Sequence, residues 1–266
     1  MPALPYTNFM QKQRLDQVMA ARGLVATRSQ AESWIRLGKV FVNGRQVTKA
    51  GALVGDDAVV ELKTNEQYVS RAGLKLASVA QALHVDFAGK VVLDVGSSTG
   101  GFTDYALQHG AKKVIAIDVG TNQLHASLRE DPRVELHEQT DIRNVVFATE
   151  KNIAPGTVPI AVAPDIIVID VSFISLRDIL PHLLKLSSPR TDILAMAKPQ
   201  FEARHSNLSH KGVIKNDRMR RDILKDFEQW AVRDFVVLAK ADSDVAGARG
   251  NLERFYKLRK ITGAGR

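Results

Sequence analysis

Two residues able to do chemistry stand at the ends of strongly apolar runs. Asp170 interrupts Ile166 to Val171, and Lys198 follows Ile193 to Ala197 at once. Runs of this length and β-branched content read as buried parallel strands. A charge at the end of such a strand is costly unless it is paired or lines a site. Ligands also collect at the carboxyl edge of an open α/β sheet. Asp170 and Lys198 come from strands that should be adjacent, so each is the natural counter-charge of the other. An ammonium held there can steady a developing oxyanion. A plain surface ion pair is the alternative use of the same two residues.

A third apolar run, Val91 to Val95, leads into Gly96, Gly100 and Gly101. Glycines there allow a tight turn whose backbone N–H groups approach a ligand with no Cβ in the way. A helix is expected from about Gly101, carrying Phe102, Tyr105, Ala106 and Leu107 into a core. Dinucleotide loops need G-x-G-x-x-G; serine at position 98 disfavours a nicotinamide oxidoreductase. The spacing Asp94-x-Gly96-x-x-x-Gly100 has the form of S-adenosylmethionine (SAM) loops, although a glycine turn alone is equally consistent with a structural role. Asp118 closes the strand Val114 to Asp118, 24 residues after Asp94, where an acid can accept from two ribose hydroxyls. Asp141-Ile142, just past a strand at Val134 to His137, lies where an adenine amino group would be read. The candidate SAM contacts are Asp94, Gly96, Ser97, Ser98, Thr99, Gly100, Gly101, Phe102, Asp118, Val119, Asp141, Ile142, Asp170 and Phe173.

The elements that position these residues fit one large α/β domain and one small one in 266 residues. Strands alternating with helices give a doubly wound sheet of six or seven strands, with a terminal pair closing it antiparallel. A helix opens after Tyr68 and continues through Leu83, another spans Leu176 to Leu186, and one runs from Arg218 to Val232. The last strands are Phe235 to Lys240 and Leu252 to Leu258, the latter carrying Glu253. Without cysteine there are no disulfides, thiolate metal sites or cysteine nucleophiles, and no metal site is expected. No apolar run approaches the ~18 residues that span a bilayer, and no signal-peptide core precedes residue 12. A cytoplasmic protein is expected.

The net charge of +8 is concentrated: residues 1–75 hold 11 Lys and Arg against six Asp and Glu. Such a segment suits a polyanion, most often nucleic acid, although a solvated surface accounts for charge alone. After a lead-in at 1–11, Leu15, Val18, Met19 and Leu24 recur at helical spacing, with Arg22-Gly23 as a stop. Ser29 reads as the N-cap of a second helix, with Glu32 completing a capping box and Ala31, Trp34, Ile35 and Leu37 buried. Asn43-Gly44 between apolar runs signals a hairpin, and a strand at Ala58 to Leu62 follows. Two helices and a hairpin, with Arg14-Leu-Asp16, Thr27-Arg-Ser-Gln-Ala31 and Gly38-Lys-Val-x-Val-Asn-Gly44, resemble the S4 RNA-binding domain. Arg14, Arg28, Arg36, Lys39, Arg45 and Lys49 are its candidate RNA contacts. Beyond it, Arg143 and Lys211 are further candidates, the latter in a polar loop at 203–213 with His205 and His210.

Over residues 12–259 the chain resembles the TlyA family, S4-bearing 2′-O-methyltransferases of ribosomal RNA that also carry the haemolysin label. The likeness rests on the S4 motif, Ser70-Arg-Ala-Gly-Leu-Lys75, Leu93 to Asp104, Asp170-Val-Ser-Phe-Ile-Ser175, Lys198-Pro-Gln-Phe-Glu202 and Gly250-Asn-Leu-Glu253. Ala72, where a second glycine is common, and Leu252 are the less typical positions. Residues 63–70 read as a polar linker and a domain boundary; the resemblance implies residues 1–62 as an S4-like domain and 71–266 as an FtsJ/RrmJ-like class I SAM-dependent methyltransferase with a Rossmann-like, seven-stranded sheet. It implies a catalytic tetrad of Lys75, Asp170, Lys198 and Glu253, with Lys198 held between Asp170 and Glu253 and Lys75 orienting the 2′-oxygen or a phosphate. It implies cytidines of 16S and/or 23S rRNA as targets, with ribosomal subunits as partners and no metal. Two rival readings remain: an RNA-binding ribosome factor with a silent methyltransferase fold, and a membrane-active haemolysin, for which no lipid-entering segment is found.

Overall fold

The computed structural model describes residues 12–25, 28–36, 38–63, 68–149, 154–205, 212–214, 216–245, 247 and 250–262. The side chains at 29, 30, 33 and 36 fall outside it. The chain divides into two compact units, Met1–Glu66 and Gln67–Arg266.

In the first unit, helices α1 (Leu15–Ala21) and α2 (Arg28–Arg36) precede strands β1 (Val40–Val42), β2 (Arg45–Val47) and β3 (Val60–Leu62). β1 is central, antiparallel to both neighbours. The turn between β1 and β2 needs left-handed backbone twice, at Asn43 (φ 49°) and Gly44 (φ 75°), which is what an Asn-Gly hairpin turn supplies. Leu15, Val18, Met19, Ala31, Trp34, Ile35 and Val40 form the core. Two expectations shift. Helix α2 is already under way at Arg28, so Ser29 lies in its first turn and is not its cap. The third strand begins at Val60, because the Ala58 N–H is spent in a turn to the Gly55 carbonyl. Leu37 lies outside the described residues.

The second unit contains α3 (Arg71–Ala80), β4 (Val91–Val95), α4 (Gly101–Gln108), β5 (Lys113–Ile117), α5 (Ala126–Arg129), β6 (Val134–His137), β7 (Ile166–Ile169), α6 (Leu180–Leu186), β8 (Asp192–Ala197), α7 (Pro199–Glu202), α8 (Asp217–Ala231), β9 (Phe235–Asp242) and β10 (Arg254–Lys260). A seven-stranded sheet runs β9-β10-β8-β7-β4-β5-β6. The five strands from β8 to β6 are mutually parallel, and β10 alone runs against them, with β9 outside it. Strand side chains alternate between faces. Val92, Val168, Leu194, Met196 and Phe255 pack on one side with residues of α3 and α4. Leu93, Ile167, Ile169, Ile193 and Tyr256 pack on the other with residues of α6 and α8.

The expected helix from Leu176 divides into a 3-10 turn (Leu176–Asp178) and α6. Pro181 has no N–H to continue the first turn and sits near the start of the second. Glu253 lies just before β10 and not within it. Among the described residues no helix is long and apolar enough to cross a membrane.

Candidate active site

Strands β7 and β8 are neighbours, with Ile169 beside Ala195 in register. Asp170 and Lys198 are the residues that leave the sheet at their carboxyl ends. The Lys198 ammonium meets Asp170 Oδ1 at 2.6 Å and donates to Ser172 Oγ at 2.8 Å. A second pair lies in the same unit: Lys75 Nζ is 2.5 Å from Glu253 Oε2. Both of its side chains are buried, 11% and 4% exposed. Lys75 sits on α3, the helix layered on the Val168 and Met196 face of the sheet. The four residues expected as a tetrad thus form two ion pairs, and the expected placing of Lys198 between two acids is corrected. β10 enters antiparallel, so Ala197 lies opposite Arg254 and Glu253 sits at the same sheet end as Lys198. Its carboxylate is nevertheless taken by Lys75.

Next to Lys198 and Asp170 is a cleft of about 360 Å³ at the carboxyl ends of β4, β5 and β7, within the ~300–1,000 Å³ of small-molecule sites. Of the candidate cofactor contacts, Gly96, Ser98, Asp118 and Val119 line it from β4 and β5, and Asp141, Ile142, Asp170 and Phe173 complete it. Asp118 is fixed by backbone donors, Ser98 N–H to Oδ2 at 2.8 Å and Gly120 N–H to Oδ1 at 2.6 Å. Each oxygen keeps a lone pair for a ribose hydroxyl. Phe173 is 75% exposed on a backbone with φ of 68°, an uncommon conformation outside glycine. Gly96 (φ 83°) leaves no room for a Cβ, which would stand 2.7 Å from the Asp170 carbonyl oxygen. A wide, mostly apolar cleft with a fixed acid fits an adenosyl group such as that of SAM.

Other candidates do not reach the cleft. A Cβ on Gly100 would meet Leu128 at 2.3 Å, and one on Gly101 would meet Ser70 Oγ at 2.3 Å. These glycines therefore let α4 pack closely, and they do not open space for a ligand. Phe102 is buried against Phe255. Ser97, Thr99 and Asp94 are also absent from the lining. Ser172, Gln123 and Thr140, by contrast, line the cleft without having been expected. Only Ser172 carried a signal, as a hydroxyl two residues after the strand-end acid.

Asp94 is fully buried beneath the loop. Thr103 Oγ1 donates to its Oδ2 at 2.6 Å, and its Oδ1 has no partner. Burial, with Asp170 and Asp118 adding repulsion, pushes its carboxyl up to about 7. The native state therefore keeps a proton that an unfolded aspartate, near 3.9, gives up. That contribution favours the fold below about pH 4 and is lost as pH rises to about 7. Melting temperatures of the wild type relative to Asp94→Asn should accordingly fall between pH 4 and 7; a difference flat with pH would show that Asp94 does not titrate in this way.

Among the basic candidates, Arg14 and Arg28 both bind the buried Asp16, at 2.7 and 2.9 Å. The Arg14 guanidinium, with Arg28 beside it, holds the Asp16 carboxyl well below the usual range. About half of the Arg28 side chain remains exposed. Arg45 and Lys49 are exposed and Lys39 is half-buried. Arg143 is paired with Asp141 at 2.6 Å, a pairing between residues two apart that spacing alone did not suggest. His205 contacts Asp178; Lys211, His210 and the side chain of Arg36 lie outside the described residues. Among the described residues no group of three or more His, Asp or Glu could hold a metal ion.

The FtsJ-like methyltransferase family matches residues 68–260, and the S4 domain matches residues 13–60. Sheet order, cleft and match define an FtsJ-like methyltransferase joined to an S4 domain. The Mycobacterium tuberculosis 16S/23S rRNA (cytidine-2′-O)-methyltransferase TlyA is 35% identical over 94% of this chain and 90% of its own. Hemolysin A of Brachyspira hyodysenteriae is 38% identical over 90% of this chain and 97% of its own. A solved Streptococcus thermophilus structure, described as a hemolysin, is 35% identical with a TM-score of 0.71, over 95% of this chain and 90% of that one. The chain belongs to the TlyA family.

Proposed function

We propose that this protein methylates the ribose 2′-hydroxyl of a cytidine in ribosomal RNA, using SAM in the cleft beside Lys198. The Lys198–Asp170 pair at the cleft, 2.6 Å apart and joined by Ser172, is the observation that carries this reading. When bound, SAM supplies a methyl group on a sulfonium, already a good electrophile. Asp118 would hold its ribose, and Gly96 and Ser98 would form the wall of its pocket; Asp141 and Ile142 would border the adenine. The chain's own task is to steady a poor nucleophile. Lys198 would donate to the 2′-oxygen and stabilise the developing alkoxide while the hydroxyl proton passes to solvent and the S–CH3 bond gives way to the new O–CH3 bond, leaving a neutral thioether; Asp170 and Ser172 would keep the ammonium aimed. Lys75, fixed by Glu253, would orient the sugar or the neighbouring phosphate, so that oxygen and methyl carbon meet at about 3 Å. The mechanism assigns no step to a metal.

The names of the rRNA-methylating relatives support cytidine as the target, and the S4 unit with its exposed Arg45 and Lys49 supports structured rRNA as the partner. A cytoplasmic setting follows from that substrate. The reading is tested by transfer of tritium from labelled SAM to 30S and 50S subunits and to free rRNA, with digestion to nucleosides. Label in 2′-O-methylcytidine is expected; label in a base or in protein would overturn it. Asp118→Ala should weaken SAM binding about 10- to 100-fold by calorimetry, since the loop loses two backbone anchors and the ribose its acceptors. Unchanged affinity would move the cofactor elsewhere.

A further inference from the structure

Glu202 is a carboxylate that the proposed chemistry does not use. It is 1% exposed, and burial raises its proton affinity above the usual carboxylate range. Its Oε2 accepts from Ser175 Oγ at 2.6 Å and its Oε1 from the Leu176 N–H at 2.8 Å. Ser175 in turn caps the 3-10 turn that follows, accepting from Arg177 N–H at 3.1 Å. Glu202 therefore ties two loops together: the one leaving β7 after Ile169 and the one leaving β8 after Ala197.

These are the loops that carry Asp170 and Lys198. They are joined at one end by the Lys198–Asp170 and Lys198–Ser172 contacts and at the other by Glu202. Between the two ends the Phe173 and Phe201 rings pack 5.5 Å apart, and Arg204 donates to the Phe173 carbonyl at 2.7 Å. Phe173 keeps its positive φ only while its surroundings over-determine it. A buried carboxylate taking two donors is a costly tie to break, because losing it leaves both donors buried and unmet.

Resting on the methyltransferase reading above, we infer that Glu202 is a positioning residue, a latch that holds the Asp170–Ser175 loop against the Lys198–Glu202 turn and so sets Lys198 for reaction. Displacement of a reacting group by about 1 Å costs on the order of 100-fold in rate, so a loosened latch is visible in turnover before it is visible in binding.

The test compares wild type with Glu202→Gln, Ser175→Ala and the double variant, using tritium transfer from SAM to ribosomal subunits. Glutamine keeps the shape but turns the acceptor facing Ser175 into a donor and removes the charge, so the Ser175 hydroxyl must reverse its role and both contacts lose their charge assistance. For Glu202→Gln, kcat should fall about 10-fold or more with the KM for subunits within about twofold; SAM affinity should fall by less than kcat, since Asp170, Ser172 and Phe173 of the same loop line the cleft. Because both residues act through one contact, the double variant should be no worse than Glu202→Gln. Unchanged kcat, or additive losses in the double variant, would overturn the inference. So would a lowered melting temperature with normal kcat per folded molecule. If Glu202→Gln does not fold, Ser175→Ala alone decides: it too must lower kcat while leaving KM in place. A wild type with no transfer would instead defeat the methyltransferase reading, and the two failures are thereby distinguished.

Discussion

Lys198→Ala should lower kcat for methyl transfer by about 10²- to 10³-fold, the usual cost of removing one donor aimed at a developing oxyanion. SAM affinity should stay nearly unchanged, since Lys198 does not line the cleft wall. The reason for the size is geometric. The ammonium is held by Asp170 at 2.6 Å and Ser172 at 2.8 Å, so its orientation is settled before substrate arrives and costs nothing during reaction. Lys198→Arg should not rescue: a planar fork cannot replace a point charge seated between an oxygen pair in a nearly closed space. Single-turnover transfer with saturating SAM reads the chemical step directly. A Lys198→Ala enzyme retaining more than about a tenth of wild-type kcat would show that the 2′-oxygen is steadied by another group.

The Asp170–Lys198 pair was legible because parallel strands side by side release their next residues at the same edge, a consequence of sheet geometry that needs no structure to foresee. The acid-bearing loop and the fixed Asp118 were legible for the same reason. What failed to show depends, apart from the local Arg143–Asp141 pair, on partners far apart in sequence. Lys75 takes Glu253 because α3 lies on the face of the sheet to which Val168 and Met196 point, a choice of layer that residue types do not encode. Gly100 and Gly101 look like ligand glycines, yet the neighbours that demand them are Leu128 and Ser70. The Asn43-Gly44 turn, by contrast, is purely local and was read correctly. Glu202 was visible as part of a motif, but its burial and its two donors belong to another loop. In each case the unreadable part is a side chain whose partner is chosen by packing.

Glu253→Ala should cost about 3–5 kcal/mol, the loss on stripping one partner from a buried ion pair. At about 2–4 °C per kcal/mol for a unit of this size, its melting temperature should fall by about 10 °C. The loss is large because Lys75 is only 11% exposed and is left as an uncompensated buried charge on a helix whose Leu76, Val79 and Ala80 belong to the core. Activity should fall with it, yet the single variant cannot separate the two effects. Replacing both charges does. Lys75→Met with Glu253→Leu removes the buried charges together, and such apolar replacements are often neutral or stabilising, so the double variant should melt near the wild type. Methyl transfer at a temperature where both proteins are folded should nevertheless stay at least 10-fold down, because no ammonium remains to orient the sugar. Recovery of transfer along with stability would reduce this pair to scaffolding and leave Lys198 and Asp170 as the whole of the chemistry.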